Sequence, residues 1–225
     1  MRLGPDQIVA CPSCGGLAKY KTLLSGNDIG ARVWTDGRQH LPMFPRPPRV
    51  VKCRHCRNIY WLSDARHIEQ VESSGEQLLA APQEWRSAEN VQEPDERDYY
   101  EAIRANLALN PDEERSLRIL AWWRSNDAFR DAGIISATTP RNAPEWEENL
   151  RALLIFLDES SEDNLVMKAE VCRELRMWAE AEAILGRVQS ADLSPVVSQI
   201  RKLCKSQDAV VRDCLLYTSP SPRDS

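Results

Sequence analysis

The sequence predicts an α+β protein in which a small antiparallel β module is followed by an all-α domain of helical hairpins. Residues 1–71 contain two C-x-x-C pairs, separated by short segments in which apolar and polar residues alternate. Such alternation is typical of half-buried strands. From residue 95 onward, apolar residues recur every three or four positions, which is typical of amphipathic helices. A chain of 225 residues accommodates one or two domains.

The charge is divided between the two predicted parts. Residues 1–69 contain 11 basic and 5 acidic residues, so their formal charge is +6. The remainder carries −11, which gives the whole chain its net charge of −5. Such a difference between halves indicates two modules with different surfaces. We predict a β module over residues 1–71, a linker over 72–94 and a helical domain over 95–213.

The four N-terminal cysteines form two pairs with metal-ligand spacing. Cys11 and Cys14 are the first pair, and Cys53 and Cys56 are the second. Two sulfurs three positions apart on a tight turn can point at one ion, and two such turns supply the four thiolates of a tetrahedral site. Gly15 provides the positive φ with which the chain leaves the first turn. We therefore predict that all four sulfurs bind one metal ion and leave no position open for water.

The 38 residues between the two pairs are expected to form strands of their own. The pattern predicts strands at 17–23, 31–35, 50–51 and 59–62, and turns at 25–28 and 36–37. In the second cysteine turn no glycine follows Cys56. We expect Asn58 to take the left-handed conformation there, because asparagine tolerates it better than most residues.

This order of strand, cysteine turn and strand, repeated twice, resembles the zinc-ribbon (rubredoxin-like) class of knuckle proteins over residues 7–68. The first turn, C-P-x-C-G, matches that class well, whereas the second has Arg57-Asn58 in place of glycine. The resemblance implies one structural Zn²⁺, although iron also suits four thiolates. A redox dithiol and a disulfide pair are the alternatives. A dithiol site uses a single C-x-x-C, and disulfides are rare in reducing compartments.

Other histidines and cysteines have less specific patterns. His55 lies inside the second pair and is expected to be exposed rather than a ligand. His40 and His67 lack ligand spacing. Cys172 and Cys204 lie on apolar helical faces, where we expect small buried side chains.

The segment 41–49 contains four prolines, which cannot donate hydrogen bonds to a sheet. We expect a stiff, polyproline-like connector. The alternative is a ligand for a partner domain with an aromatic groove.

Helix-start residues divide the C-terminal part into short helices. The predicted starts are Asn110-Pro111, Asn142 with Pro144, Ser160–Asp163 and Ser194-Pro195. Short helices on short connections imply antiparallel hairpins.

Residues 164–188 resemble one tetratricopeptide (TPR) helix pair. Ala169 lies where two helices of that family cross, and Ala181 and Leu185 lie on its packing face. Arg176 stands where the family usually has glycine. Because no fixed period continues beyond this unit, we predict either a short TPR-like array or an irregular bundle. The resemblance implies a groove for a protein or peptide partner.

The C-terminal residues 214–225 resemble a translated sequencing adapter. Codons that encode them fit the end of a transposase-based sequencing adapter. We therefore expect a non-native tail and a missing natural C-terminus. A Ser/Pro-rich disordered tail is the alternative.

Several function classes are excluded by the composition and motifs. No G-x-x-x-x-G-K-[ST], G-x-G-x-x-G, H-E-x-x-H or G-x-S-x-G motif is present. No apolar run approaches the ~18 residues of a membrane span, and no secretory signal begins the chain. We expect a cytoplasmic, bacterial protein that is not an enzyme, with no catalytic residues, no bound organic cofactor and no membrane partner.

Two functions remain. The first is a zinc-binding adaptor whose helical domain binds a protein partner. The second is a nucleic-acid-binding protein, because the β module interleaves basic residues with aromatic ones that could stack on bases. These residues are Lys19, Lys21, Arg32, Arg38, Arg46, Arg49, Lys52, Arg54 and Arg57, with Tyr20, Trp34, Phe44, Tyr60 and Trp61.

Overall fold

The computed structural model describes residues 1–72, 79–131 and 144–214. These residues form two compact units. The first unit contains residues 1–30 and 41–107, and the second contains residues 31–40 and the described residues from 108 onward. The predicted divisions at 71 and 95 stay a prediction, since compactness does not measure independent folding. Part of the predicted linker, the cap Asn142 and residues 215–225 of the predicted tail lie outside the described residues.

Small antiparallel sheets precede helices along the chain, which confirms the predicted α+β fold class. The strands are β1 (Arg2–Ala10), β2 (Leu17–Ser25), β3 (Arg32–Val33), β4 (Gln39–His40), β5 (Val50–Lys52), β6 (Ile59–Trp61) and β7 (Arg66–Val71). The helices are α1 (Gln83–Arg86), α2 (Glu96–Arg104), α3 (Pro111–Asp131), α4 (Pro144–Phe156), α5 (Glu162–Glu174), α6 (Trp178–Leu185) and α7 (Ser194–Lys205). None of the described helices is long and apolar enough to cross a membrane.

The first unit is built on a three-stranded antiparallel sheet in the order β2-β1-β7. The alternating pattern predicted β2 but neither β1 nor β7. Strand β1 is central, and residues 6–10 are all buried, so its buried side chains do not alternate with exposed ones. An alternation search cannot find a strand that is covered on both faces. Strands β5 and β6 pair separately, and the turn between them carries the second cysteine pair.

A segment from the predicted linker, residues 88–95, runs along the first unit and is called the strap below. The Lys19 N–H donates to the Glu89 carbonyl at 2.9 Å, and the Lys52 N–H donates to the Gln92 carbonyl at 2.9 Å. The strap thereby adds backbone pairing to β2 and to β5. It ends in a reciprocal cap on α2 between Asp95 and Asp98. The Asp98 carboxylate also forms a buried ion pair with the Lys52 ammonium group.

The second unit packs its last three helices around one apolar cluster. The fully buried members include Ala169 on α5, Ala181 and Leu185 on α6 and Ile200 on α7. Ala169 has no exposed surface, as expected for a position where helices cross closely. The predicted start of α3 is also confirmed, because the Asn110 Oδ1 accepts from the N–H three residues later at 2.9 Å.

Helices α2, α5 and α7 are each followed by a non-glycine residue in the left-handed conformation. The φ angles are 54° at Asn106, 63° at Arg176 and 54° at Gln207. In each case the next N–H bonds to the carbonyl five residues earlier, as from Met177 to Cys172 at 2.8 Å. This is the Schellman arrangement that usually uses glycine. Arg176 therefore adopts a backbone conformation that favours glycine.

Residues 31–40 form the β3–β4 hairpin, whose turn places an aspartate in the core of the second unit. Gly37 has φ of 79°, as a tight turn requires, and Asp36 has no exposed surface. The Asp36 carboxylate pairs with Arg130 and accepts from the Asn126 amide at 2.8 Å. The Trp123 indole donates to the Asp36 carbonyl at 2.9 Å. Burial raises the pKa of Asp36 above its ordinary value, and the Arg130 charge and the hydrogen bonds from Asn126 and Arg130 offset this only in part.

A second buried ion pair secures the end of the described chain. Arg173 and Glu170 are both fully buried and form two parallel hydrogen bonds of 2.6 and 2.7 Å. The Arg173 guanidinium also donates to the carbonyls of Asp208 and Val210. Cys214 is buried, and its N–H donates to the Val33 carbonyl at 2.7 Å. The first residue of the predicted non-native tail is therefore packed within this unit.

The loop before α5 supports a prediction about acid titration. The Asp158 carboxylate accepts hydrogen bonds from the Ser160 hydroxyl, the Ser160 N–H and the Asn164 amide, which lower its pKa to about 2. Because the folded pKa lies below the unfolded value, the associated stability is present above pH ~4 and is lost as pH falls toward 2.

We expect carboxyl carbon NMR to show Asp158 still ionised at pH ~4, where an ordinary aspartate is about half protonated. Ser160→Ala should move its titration toward the ordinary value, whereas Ser198→Ala on α7 should not. A titration midpoint near the ordinary aspartate value for Asp158 in the wild-type chain would contradict the prediction.

Candidate metal centre

The first cysteine turn, residues 11–16, is called the first knuckle. It follows β1 directly and leads into β2. The Gly15 N–H donates to the Cys11 carbonyl and the Cys11 N–H donates to the Gly16 carbonyl, both at 2.9 Å. Gly15 has φ of 72°, as its sequence position predicted. The Gly16 N–H also points at the Cys14 sulfur, 3.4 Å away.

The second knuckle, residues 53–58, repeats this geometry between β5 and β6. The Arg57 N–H donates to the Cys53 carbonyl at 2.9 Å, and the Cys53 N–H donates to the Asn58 carbonyl at 2.8 Å. The left-handed residue is Arg57, with φ of 65°, so the prediction of Asn58 was wrong. Both knuckles require positive φ at the fourth position after their first cysteine. The local turn hydrogen bonds therefore override the preference of asparagine for this conformation.

The two knuckles bring the four predicted ligands together. The Sγ atoms of Cys11, Cys14, Cys53 and Cys56, called the cysteine cluster below, all lie within 4.8 Å of one another. Two of the separations are 3.8 Å, between Cys11 and Cys56, and 3.7 Å, between Cys14 and Cys53. A tetrahedron with metal–sulfur bonds of ~2.3 Å has sulfurs about 3.8 Å apart. All four cysteines are free thiols, so the disulfide alternative does not describe this structure.

The cluster has a buried side and an exposed side. Cys11 and Cys53 are 3% and 5% exposed and pack with Val51 and Tyr60. Val91 of the strap covers the same cluster. Sequence analysis missed Val91 because it lies in a polar stretch remote from either cysteine pair.

The exposed side of the cluster carries Cys14 and Cys56. His55 is exposed, as predicted, and is not among the residues that could share a metal ion with the four cysteines. Its ring lies against Gly16, where a Cβ atom would clash with it. The Asn58 amide donates to the Ser13 hydroxyl at 2.7 Å, which joins the two knuckles.

The Cys14 thiol resists ionisation when no cation is present. The Gly16 N–H lowers the pKa of the Cys14 thiol, but the Cys56 thiol, desolvation and the remaining two thiols raise it to about 12. A divalent ion reverses this balance, because metal binding deprotonates cysteine. We therefore expect metal uptake to release protons.

Comparisons with protein families, curated proteins and solved structures find no match to this chain. The interpretation of the site therefore depends on its own geometry and chemistry.

The left-handed position in each knuckle supports a paired prediction. A side chain at Gly15 would meet no atom within 4 Å, so Gly15→Ala tests backbone strain alone. We expect it to lower the free energy of unfolding of the metal-loaded chain by about 1 kcal/mol. Arg57→Gly should raise that free energy by about 0.5–1 kcal/mol, because relief of strain outweighs the added entropy of the unfolded chain.

Chemical denaturation of the metal-loaded chain would measure both effects. Asn58→Gly is the matched control, since Asn58 does not have positive φ and its amide bonds to Ser13. If Asn58→Gly stabilised the chain and Arg57→Gly did not, the assignment of the left-handed position to Arg57 would be contradicted.

Proposed function

We propose that this chain is a non-enzymatic zinc-binding protein, in which Cys11, Cys14, Cys53 and Cys56 hold one structural Zn²⁺. The observation that carries the proposal is the sulfur geometry, with separations of 3.7 and 3.8 Å across two matching knuckles. Four thiolates complete a tetrahedral coordination shell, so a zinc ion held there has no open position for water. Its role is then to stabilise the fold rather than to activate a substrate.

We propose zinc as the metal, and iron is the alternative because four thiolates in tetrahedral geometry suit both ions. Elemental analysis with native mass spectrometry of the full chain tests this. One zinc per chain supports the proposal, iron at the same ratio would correct the metal, and no bound metal would overturn it. Cys172→Ser is the control, because Cys172 is buried in the second unit and should not change metal content.

We further propose that the helical unit binds a protein or peptide partner, which makes the chain an adaptor. Two large apolar side chains of this unit are exposed to solvent, Leu109 at 89% and Ile155 at 81%. Both side chains are therefore available for apolar contacts with a partner.

Affinity capture with the full chain as bait tests the adaptor proposal. A partner that binds the wild-type chain should be lost with Ile155→Glu and retained with Glu148→Gln, an exposed change on the same helix. A partner that binds the Ile155→Glu chain equally well would count against α4 as the docking helix.

Binding of single-stranded nucleic acid is the alternative, and the surface of the first unit supports it less. Tyr60 and Trp61 are 4% and 7% exposed, so neither ring is free to stack on a base. Three of the basic side chains are engaged in ion pairs. These pairs are Lys19 with Asp6, Lys52 with Asp98 and Arg54 with Glu89. Salt-dependent binding of a single-stranded oligonucleotide would favour this alternative over the adaptor.

A further inference from the structure

The two sides of the cysteine cluster differ in exposure, and this difference carries an inference that rests on the proposed zinc site. Cys11 and Cys53 begin their knuckles at the ends of strands and are buried. Cys14 and Cys56 lie at the tips of the knuckles and are exposed. A reagent in solution therefore reaches the second cysteine of each knuckle first.

Each exposed sulfur has a buried sulfur of the opposite knuckle beside it. Cys56 lies 3.8 Å from Cys11, and Cys14 lies 3.7 Å from Cys53. A disulfide bond is about 2.05 Å long, so each pair needs to approach by only about 1.7 Å. We propose that Cys14 and Cys56 are sites of oxidation by hydrogen peroxide, and that Cys53 and Cys11 resolve the products into two disulfides between the knuckles, with release of the zinc ion.

The chemistry balances with hydrogen peroxide as the oxidant. The Cys56 thiolate attacks one peroxide oxygen, the O–O bond breaks, and sulfenic acid and hydroxide form. The Cys11 sulfur then attacks the sulfenic sulfur, which forms the disulfide and expels the oxygen as water after protonation. Cys14 and Cys53 react in the same way with a second peroxide. Two peroxides thus accept four electrons from four sulfurs, and the metal loses all four ligands.

The remaining cysteines are poor competitors for the oxidant. Cys172, Cys204 and Cys214 are buried. Burial raises the pKa of Cys172 and Cys204 to about 11 and that of Cys214 to about 12. Peroxide reacts with thiolates far faster than with thiols, so these three sulfurs stay reduced while the exposed pair reacts.

The test uses the zinc-loaded full chain, hydrogen peroxide and a chromogenic zinc indicator. One zinc per chain should be released as two peroxides are consumed, and dithiothreitol with added zinc should restore the starting protein. Zinc retained under conditions that oxidise a free cysteine peptide overturns the inference. A chain that cannot take up zinc overturns the proposed function as well, so the two failures are distinguishable.

Trypsin digestion without reduction identifies the disulfides. Cleavage after Lys52, Arg54 and Arg57 separates Cys53 from Cys56, whereas Cys11 and Cys14 remain on one peptide. The proposal requires both short peptides joined to that longer one, with fragmentation that assigns Cys11 to Cys56 and Cys14 to Cys53. The two short peptides joined to each other, or sulfinic acids without disulfides, would overturn it.

Two further variants test which cysteines take part in the oxidation. Cys56→Ser should leave only the Cys14–Cys53 bond after oxidation. The double variant Cys172→Ser/Cys204→Ser should release zinc at the wild-type rate. If Cys56→Ser fails to fold, the disulfide map of the wild-type chain still decides the outcome.

Discussion

Cys53→Ser is expected to unfold the first unit. Metal binding to small cysteine sites contributes roughly 10–16 kcal/mol of folding free energy, and loss of one thiolate removes most of it. Cys53 also packs in the buried cluster with Val51 and Tyr60, so the substitution buries a polar hydroxyl among apolar side chains. Cys14→Ser should act in the same direction but less strongly, because Cys14 is exposed.

Amide NMR spectra of the full chain, before and after a strong chelator, would measure this effect. Resonances from β1, β2, β5 and β6 should collapse to the narrow range of unfolded chains in Cys53→Ser and in the chelated wild type. Cys172→Ser, a buried change outside the cluster, should keep them dispersed. Dispersed resonances in the Cys53→Ser chain would contradict the metal's role in folding.

Asp36→Asn is expected to destabilise the second unit by about 3 kcal/mol. The substitution keeps the shape of the side chain but removes its charge, which leaves the Arg130 guanidinium, 3% exposed, without its most buried partner. Removing one member of a buried ion pair costs roughly 3–5 kcal/mol. Asp127 still contacts Arg130 at 3.0 Å, so we expect the lower end of that range.

Thermal unfolding followed by tryptophan fluorescence would measure the change, because Trp122 and Trp123 report on this core. Asp127→Asn is the control. It removes a partly exposed partner of the same arginine and should cost at most about 1 kcal/mol. Adding Arg130→Met to Asp36→Asn should recover part of the loss. Equal effects of the two aspartate variants would show that burial of the pair does not matter.

The convergence of the four cysteines could be predicted because a knuckle is a local structure. Its residues contact one another within six positions, and the cysteine spacing alone indicates the turn. The strands β2, β5 and β6 could also be predicted from local sequence, because each adjoins a knuckle along the chain. The prediction for Asn58 was wrong because the hydrogen bonds of the whole turn, and not the side-chain preference of asparagine, decide which residue is left-handed.

The other features depend on partners that are far apart in the sequence. Asp36 pairs with Arg130, 94 positions later, and Lys52 pairs with Asp98, 46 positions later. An isolated aspartate before a glycine is typical of an ordinary surface turn, so nothing nearby distinguishes the buried one. The strap has a polar composition that is typical of a linker, and its order comes from backbone bonds to β2 and β5.

The β3–β4 hairpin has a consequence for anyone who dissects or recombines this protein. Its ten residues lie between the two knuckles along the chain, yet they belong to the second unit, which otherwise consists of C-terminal sequence. Neither body is an uninterrupted stretch of polypeptide, so no single cleavage yields either one whole. Gene fusions and exchanges between proteins would have to transfer both together.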